Sequence, residues 1–206
     1  MKPTAGRPRE FDPQDLLNTA LECFWQNGYR GTSMADLMAA SGLASASIYK
    51  LYPDKRAIFM AALRQYLDDG LARLEQRYQQ LSPEEALKET LSFAVQLSTG
   101  SAGEKGCLSI ATANELLPGD DDIRKQIDYM FSGIVRHLTA ILIKGQQTGV
   151  FRSDQDAATM GETLFMLLEG MRVYGKVQPD TDKLVRVNAF VIGTIQAQHS
   201  TEGSRK

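Results

Sequence analysis

Apolar residues recur every three or four positions along most of the chain, which is the spacing of one face of an α-helix. The clearest example lies in the second half, where one continuous stripe contains Ile123, Ile127, Met130, Ile134, Leu138, Ile141 and Leu142. We find no segment with the strict alternation of apolar and polar residues that a half-buried strand requires. The pattern therefore predicts an all-α protein of about nine helices.

Capping residues indicate where these helices begin and end. Asp12 followed by Pro13 is typical of a first helical turn, and Asn27-Gly28 is typical of a left-handed helix end. Ser33 with Asp36 three residues later predicts a capping box. The other expected helices span about residues 45–51, 55–80, 83–99, 107–117, 120–148, 154–174 and 181–198, and the Gly/Ser-rich segment 100–106 is expected to be a loop.

The charge distribution divides the chain unevenly. Residues 1–56 carry seven Lys or Arg against six Asp or Glu, whereas the remaining residues carry sixteen against nineteen. The first nine residues contain three bases and no acid, as a nucleic-acid-binding arm would. We therefore expect a flexible basic arm at 1–10 and a DNA-binding domain at 11–56. The apolar helices of the remainder, 57–206, predict a helical ligand-binding and dimerisation domain.

Residues 28–56 have the composition of a helix-turn-helix, in which two short helices meet at Ser41-Gly42 and the second lies in the major groove. Small side chains would let that helix sit deep, and it offers no Arg, Asn or Gln for bidentate base contacts. DNA shape and backbone contacts are then expected to contribute much of the specificity. The alternative is that Tyr49 packs in the core and the serines only face solvent. The groove-facing candidates are Ser45, Ala46, Ser47, Tyr49 and Lys50.

Four further residues, Thr32, Ser33, Tyr52 and Lys55, are candidates for phosphate contacts, because helix N-termini and lysine suit that role. For Thr32 and Ser33 simple capping is an alternative that is compatible with phosphate binding. Arg7 and Arg9 lie on a Gly/Pro backbone that suits a narrow minor groove, with a generic basic tail as the alternative.

Other classes of site find little support in the sequence. The two cysteines, Cys23 and Cys107, lie far apart, and with only two histidines we expect neither a metal site nor a cofactor. We find no nucleophile–base motif and no phosphate loop, so an enzyme is disfavoured. We also find no secretory signal and no apolar run of about 20 residues, so we expect a cytoplasmic protein.

The order of features over residues 11–60 resembles the tetracycline-repressor (TetR) family of bacterial transcriptional regulators. The resemblance implies that Thr32 and Lys55 contact the DNA backbone. Two positions depart from the family pattern: Met38 replaces a small residue, and Ala44 replaces a capping Ser or Thr at the start of the recognition helix. The residues that carry the resemblance are Ala20, Phe24, Gly28, Tyr29, Thr32, Ser33, Met34, Asp36, Leu37, Ser41, Gly42, Leu43, Ser47, Ile48, Tyr49, Tyr52, Asp54, Lys55, Ile58 and Phe59.

The last two helices are more broadly apolar than one core requires, which indicates a dimer interface built as a four-helix bundle. The family resemblance implies the same. A dimer would place two reading helices about 34–36 Å apart, as successive turns of a palindromic operator require. The interface candidates are Leu164, Leu168, Met171, Phe190, Val191 and Ile195.

The body between these regions is expected to hold a small, largely apolar effector, unless Glu115, Arg136 or His137 points inward. Cys107 follows a Gly-rich segment at a predicted helix start, where a thiolate that senses oxidants or electrophiles is one hypothesis. The alternative, which we favour, is a small residue that lines the cavity. The lining candidates are Phe93, Leu97, Cys107, Ile110, Tyr129, Phe131 and Phe165.

The sequence as a whole indicates a ligand-responsive, dimeric, DNA-binding transcriptional regulator, a repressor that leaves its operator when the effector binds. The expected partners are double-stranded operator DNA, a small-molecule effector and a second copy of the chain, without a membrane. The alternative is a helical partner-binding protein with a degenerate DNA reader.

Overall fold

The computed structural model describes residues 12–197. Within this range the chain forms ten α-helices and a 3₁₀ turn, and its only extended pairing is an isolated bridge between Phe151 and Gln196. The prediction of an all-α fold is confirmed. The helices are α1 (Pro13–Gly31), α2 (Met34–Ser41), α3 (Ser45–Leu51), α4 (Lys55–Tyr78), α5 (Pro83–Leu97), α6 (Gly100–Lys105), α7 (Leu108–Leu116), α8 (Asp121–Gln147), α9 (Ala157–Tyr174) and α10 (Thr181–Ile195), and the 3₁₀ turn is Gly175–Val177.

The expectation of a loop at residues 100–106 is wrong, because Gly100–Lys105 forms the short helix α6. Glycine lowers helix propensity, so the local composition favours a loop. Tertiary packing overrides it: a β-carbon on Gly103 would lie 2.8 Å from the backbone of Ser98 and 3.0 Å from the carbonyl oxygen of Gly175. Glycine at this position therefore permits a close backbone approach that a larger residue would prevent.

The chain divides into two compact units, Met1–Tyr66 and Leu67–Lys206. The division falls inside α4, beyond the boundary at residue 56 that the sequence suggested. The reason is that the first turns of α4 belong to the core of the smaller unit, where Ile58 and Phe59 are buried and the ring of Phe59 packs edge-on against Phe24, 4.9 Å between centroids.

The larger unit is built around α8 and α9, which pack along each other, with α5 against both and against α10. After α8 the chain reverses at Gly149, whose φ is +74°. This break agrees with the one that the sequence predicted. The reversal places the buried ring of Phe151 directly against Gly145 of α8. Backbone hydrogen bonds from Arg152 to Ile195 (2.9 Å) and from Ala197 to Val150 (3.1 Å) attach the end of α10 to this turn.

A helix that crosses a bilayer must be both long and apolar. None of the helices between residues 12 and 197 meets both requirements.

Replacing Gly145 with alanine should destabilise the larger unit, since the added methyl group would overlap the ring of Phe151. We expect the free energy of unfolding to fall by about 3 kcal/mol, measured by urea denaturation at fixed protein concentration. Gly119→Ala is the control, because its methyl group would meet nothing closer than the carbonyl oxygen of Leu116 at 3.7 Å. Equal stability of the two variants would contradict the packing described here.

Candidate nucleic-acid interface and effector site

Partly buried hydrogen bonds fix the connection between α1 and α2. Regular helical geometry in α1 breaks at Gly28, with φ +74° and ψ 173°, where the sequence predicted the helix end. Thr32 is only 1% exposed. Its hydroxyl donates to the carbonyl oxygen of Gly28 at 2.8 Å. The Thr32 hydroxyl therefore faces the core and fixes the entry to α2, and the phosphate contact predicted for Thr32 stays a prediction.

Ser33 caps α2 as the sequence predicted. Its hydroxyl oxygen accepts from the backbone N–H of Asp36 (3.1 Å), and the Asp36 carboxylate accepts from the Ser33 backbone N–H (2.8 Å). Hydrogen bonds from the Ser33 hydroxyl and backbone lower the pKa of Asp36. The helix ends at Gly42, whose φ of +66° is the left-handed conformation that the tight turn needs.

Lys55, at the start of α4, is bound within its own unit. Its ammonium group donates to the carbonyl oxygens of Tyr29 and Thr32, both at 2.8 Å, and lies 4.4 Å from the centre of the Tyr29 ring. An ammonium group has three N–H donors, so two of them are used here. Lys55 thus ties α4 to the segment that enters α2, a role that sequence reasoning missed.

The recognition helix α3 presents the predicted set of side chains to solvent. Ile48 is fully buried and anchors the helix, whereas Tyr49 is 48% exposed. Ser45, Ala46 and Lys50 are exposed, and Ser47 is half-buried. Ala44 provides no side-chain cap for the helix, which agrees with the departure noted in the sequence. The exposure of Tyr49 argues against the alternative in which it packs in the core.

The remaining DNA-binding candidates differ in placement. Ser33 is exposed at the N-terminus of α2, and Tyr52 is half-buried at the end of α3. Arg7 and Arg9 lie outside the described residues. DNA contacts by all of these residues remain predictions.

Two of the predicted effector-site residues come together in the larger unit. The rings of Phe131 on α8 and Phe165 on α9 lie 5.1 Å apart. Phe93 makes a different contact, because the guanidinium carbon of Arg77 lies 3.8 Å from the centre of its ring. The others are half-buried on α5, α7 and α8 or at the start of α7: Leu97, Cys107, Ile110 and Tyr129.

Sequence reasoning missed the two charged residues that α9 directs inward. The Oε2 atom of Glu169 and the Nη1 atom of Arg172 are buried without a hydrogen-bond partner. The other nitrogen of the guanidinium, Nη2, donates to the carbonyl oxygen of Gly106 at 2.6 Å. Burial raises the pKa of Glu169 to about 7, although the charge of Arg172 acts in the opposite direction. The available signal was an acid and a base, three residues apart, in the largely apolar second half of the helix.

The three polar residues considered earlier for the effector site behave differently. Arg136 is exposed, and Glu115 is half-buried. His137 lies with its ring 5.1 Å from that of Tyr78, and burial lowers its pKa. We therefore expect a neutral imidazole at this position. Among residues 12–197 no cluster of acidic, His and Cys side chains suits a metal ion.

The predicted dimer interface needs correction. Leu164, Leu168, Met171 and Ile195 are at most 9% exposed, because they form the core of a single chain. A residue that its own chain already covers is not available to a partner. Phe190 is 72% exposed and Val191 is half-buried. The exposed apolar side chains of the same two helices are Met166, Val173, Val185, Val187 and Phe190.

An exposed, short recognition helix on a capped helix-turn-helix, joined to a separate helical body, defines a DNA-binding regulator. A model of the bacterial TetR regulatory proteins matches residues 16–62, and a model of the tetracyclin repressor-like C-terminal domain matches residues 83–191. The chain therefore belongs to the TetR family of bacterial transcriptional regulators.

Individual relatives extend this likeness over most of the chain. It is 28% identical to the HTH-type transcriptional repressor ComR of Escherichia coli strain K12, covering 91% of this chain and 90% of ComR. A cysteine mutant of the TetR-family regulator CifR, solved with 26-base-pair operator DNA, is 26% identical with a TM-score of 0.78, covering 92% and 100%. The reduced form of E. coli NemR shares the fold, with a TM-score of 0.80, 18% identity and coverage of 91% and 98%.

Lys55→Met should weaken operator binding indirectly, since the carbonyl oxygens of Tyr29 and Thr32 lose their donor. We expect a loss of about 1–3 kcal/mol in stability and an unchanged dependence of affinity on salt. Lys50→Met, on the exposed face of α3, should leave stability unchanged and reduce the salt slope by about one. A reduced slope without loss of stability in Lys55→Met would instead indicate a direct phosphate contact.

Proposed function

We propose that the protein is a dimeric, cytoplasmic repressor without enzymatic activity that leaves a palindromic operator when a small molecule binds its larger unit. The observation that carries the DNA-binding part is the exposed face of α3. This helix follows the capped helix α2 and is anchored by the buried side chain of Ile48. The small side chains on this face suit deep entry into a major groove.

Relatives support both partners of the proposal. ComR carries the name of a repressor, and CifR was solved on operator DNA. FadR from Bacillus subtilis, which shares the fold with a TM-score of 0.68 at 20% identity, was solved with stearoyl-CoA. The FadR complex favours a small-molecule effector for this chain.

The proposed dimer surface consists of the exposed apolar side chains of α9 and α10. Met166 is 67% exposed, Val185 51% and Phe190 72%. Exposed apolar side chains of this kind are typical of protein interfaces, and members of the family form dimers. Two-fold symmetry would bring the same helices of both copies together.

The proposed response to the effector is a population shift. Effector binding stabilises a conformation of the dimer in which the two recognition helices no longer match adjacent major grooves. Such a shift requires only a few kcal/mol of differential affinity between the two conformations.

Selection of bound duplexes from random DNA should recover a palindrome with half-sites about one helical turn apart. On that operator Tyr49→Ala should reduce affinity at least about tenfold, because the exposed ring lies on the reading face. Ile143→Ala is the control, since Ile143 is similarly exposed at 43% but belongs to the other unit. If a folded dimer recovers no duplex even at low salt, the partner-binding alternative is favoured.

Phe190→Glu should convert the dimer to a monomer, because it places a charge on the most exposed of these apolar side chains. Sedimentation analysis at micromolar concentration would measure the change. Ile143→Glu introduces the same charge at an exposed apolar position on α8 and should remain dimeric. Dimerisation of both variants would show that the interface lies elsewhere.

A further inference from the structure

We propose that the effector carries a carboxylate on an apolar body, and that Arg172 and Glu169 bind this carboxylate beside the rings of Phe131 and Phe165. We call these four residues, with the Gly106 carbonyl group, the polar corner. The inference rests on the proposed function, in which the larger unit binds an effector.

The polar corner is assembled from three parts of the larger unit. Phe165, Glu169 and Arg172 follow one another at helical spacing on one flank of α9. Phe131 of α8 lies against Phe165, and the connection between α6 and α7 supplies the carbonyl oxygen of Gly106. Phe165 precedes Glu169 by four residues, about one helical turn, so this aromatic pair and the two ionisable groups share one flank of α9.

The two ionisable groups have unused hydrogen-bonding capacity. Arg172 uses Nη2 on Gly106, but its Nη1 has no acceptor, and Oε2 of Glu169 has no partner. These two atoms therefore do not satisfy each other. Most buried polar atoms are paired, because an unpaired one costs about 1–3 kcal/mol. Two unpaired atoms, three residues apart on one helix flank, indicate the place of a polar group that arrives with a ligand.

The charges select a carboxylate rather than an amine. The guanidinium of Arg172 is permanently positive, so it attracts an anion and repels a cation. One carboxylate oxygen would accept from Nη1 of Arg172, and the other would accept from the protonated carboxyl of Glu169. Glu169 suits this donor role because burial raises its pKa to about 7. A neutral amide or ester would lack the stronger hydrogen bond between opposite charges.

The neighbouring titratable groups do not alter this picture. On α8, Tyr129 and His137 are half-buried, and the charge that acts on His137 is that of Glu75. On α5, Glu89 pairs with Arg77 and Glu84 pairs with Lys88. In the 3₁₀ turn, Lys176 donates to the carbonyl oxygens of Glu104 and Lys105. The charge that acts on Glu169 is that of Arg172.

Binding should therefore depend on pH in a defined direction. Between about pH 6, where the ligand is fully ionised, and about pH 7, Glu169 is largely protonated, so the affinity for a carboxylate changes little. Above pH 7 the free protein loses this proton and must regain it on binding. The affinity then falls by about tenfold for each pH unit.

Titration calorimetry on the full-length protein would first test which polar group of the ligand is preferred, by comparing affinities. The probes are decanoate and 3-phenylpropanoate, each compared with the primary amide and the primary amine of the same carbon chain. We expect at least one carboxylate to bind at least about tenfold more tightly than its amide and amine. Preference for an amine, equal affinity for all three headgroups, or no binding by either carboxylate at millimolar concentration would overturn the proposal.

Variants then assign the binding to the polar corner. Glu169→Gln keeps a hydrogen-bond donor but cannot titrate, so carboxylate affinity should become independent of pH between 6 and 9. Arg172→Gln should reduce carboxylate affinity about 10- to 100-fold. Glu162→Gln, an exposed position on the same helix, should behave as the wild type. A pH dependence that persists in Glu169→Gln overturns the assignment, even if Arg172→Gln does not fold.

Operator binding by the unliganded wild type distinguishes failure of the carboxylate inference from failure of the proposed function. If the protein binds its selected operator but no carboxylate, this inference fails and the proposed function stands. If a folded dimer binds no operator, the proposed function fails whatever the result with carboxylates.

Discussion

Lys55 donates hydrogen bonds to the carbonyl oxygens of Tyr29 and Thr32, and these bonds fix the chain that leads into α2. Helical geometry breaks at Gly28, and α1 continues beyond this kink only as far as Gly31. The buried Thr32 hydroxyl adds a hydrogen bond back to Gly28. The orientation of α2, and with it that of α3, therefore depends on two side chains that are held largely within the protein. Both side chains affect the recognition helix through its orientation, whereas a phosphate contact from Lys55 stays a prediction.

Features that depend on neighbouring residues could be predicted from the sequence. The capping box of Ser33 and Asp36, the left-handed turn at Gly42 and the break at Gly149 each involve a few consecutive residues whose chemistry has few alternatives. Helix α6 could not be predicted in this way. Gly103 lets this helix approach the backbone of Gly175, which lies far along the chain and which a local pattern cannot show.

The candidate sites were partly predictable for a related reason. An apolar stripe shows that a residue is covered, but not whether its own chain or a partner covers it, so Leu164 and Met171 were assigned to the wrong surface. The face of α3 could be predicted because Ile48 alone anchors a short helix. Charged residues such as Glu169 on an apolar helix are usually exposed, and only the folded chain shows that its Oε2 atom is buried.

Helix α9 connects the two proposed surfaces of the larger unit directly. Glu169 lies on the flank that faces the polar corner, whereas Met166 and Val173 are exposed on the proposed dimer surface. Near its start α9 is fixed against α8, because Gly161 leaves no room beside Thr139. A ligand that pairs with Arg172 would therefore act on the later turns of α9. The same turns carry Val173, so a small displacement of α9 there would move the proposed dimer surface directly. No other helix would be needed to couple ligand binding to that surface.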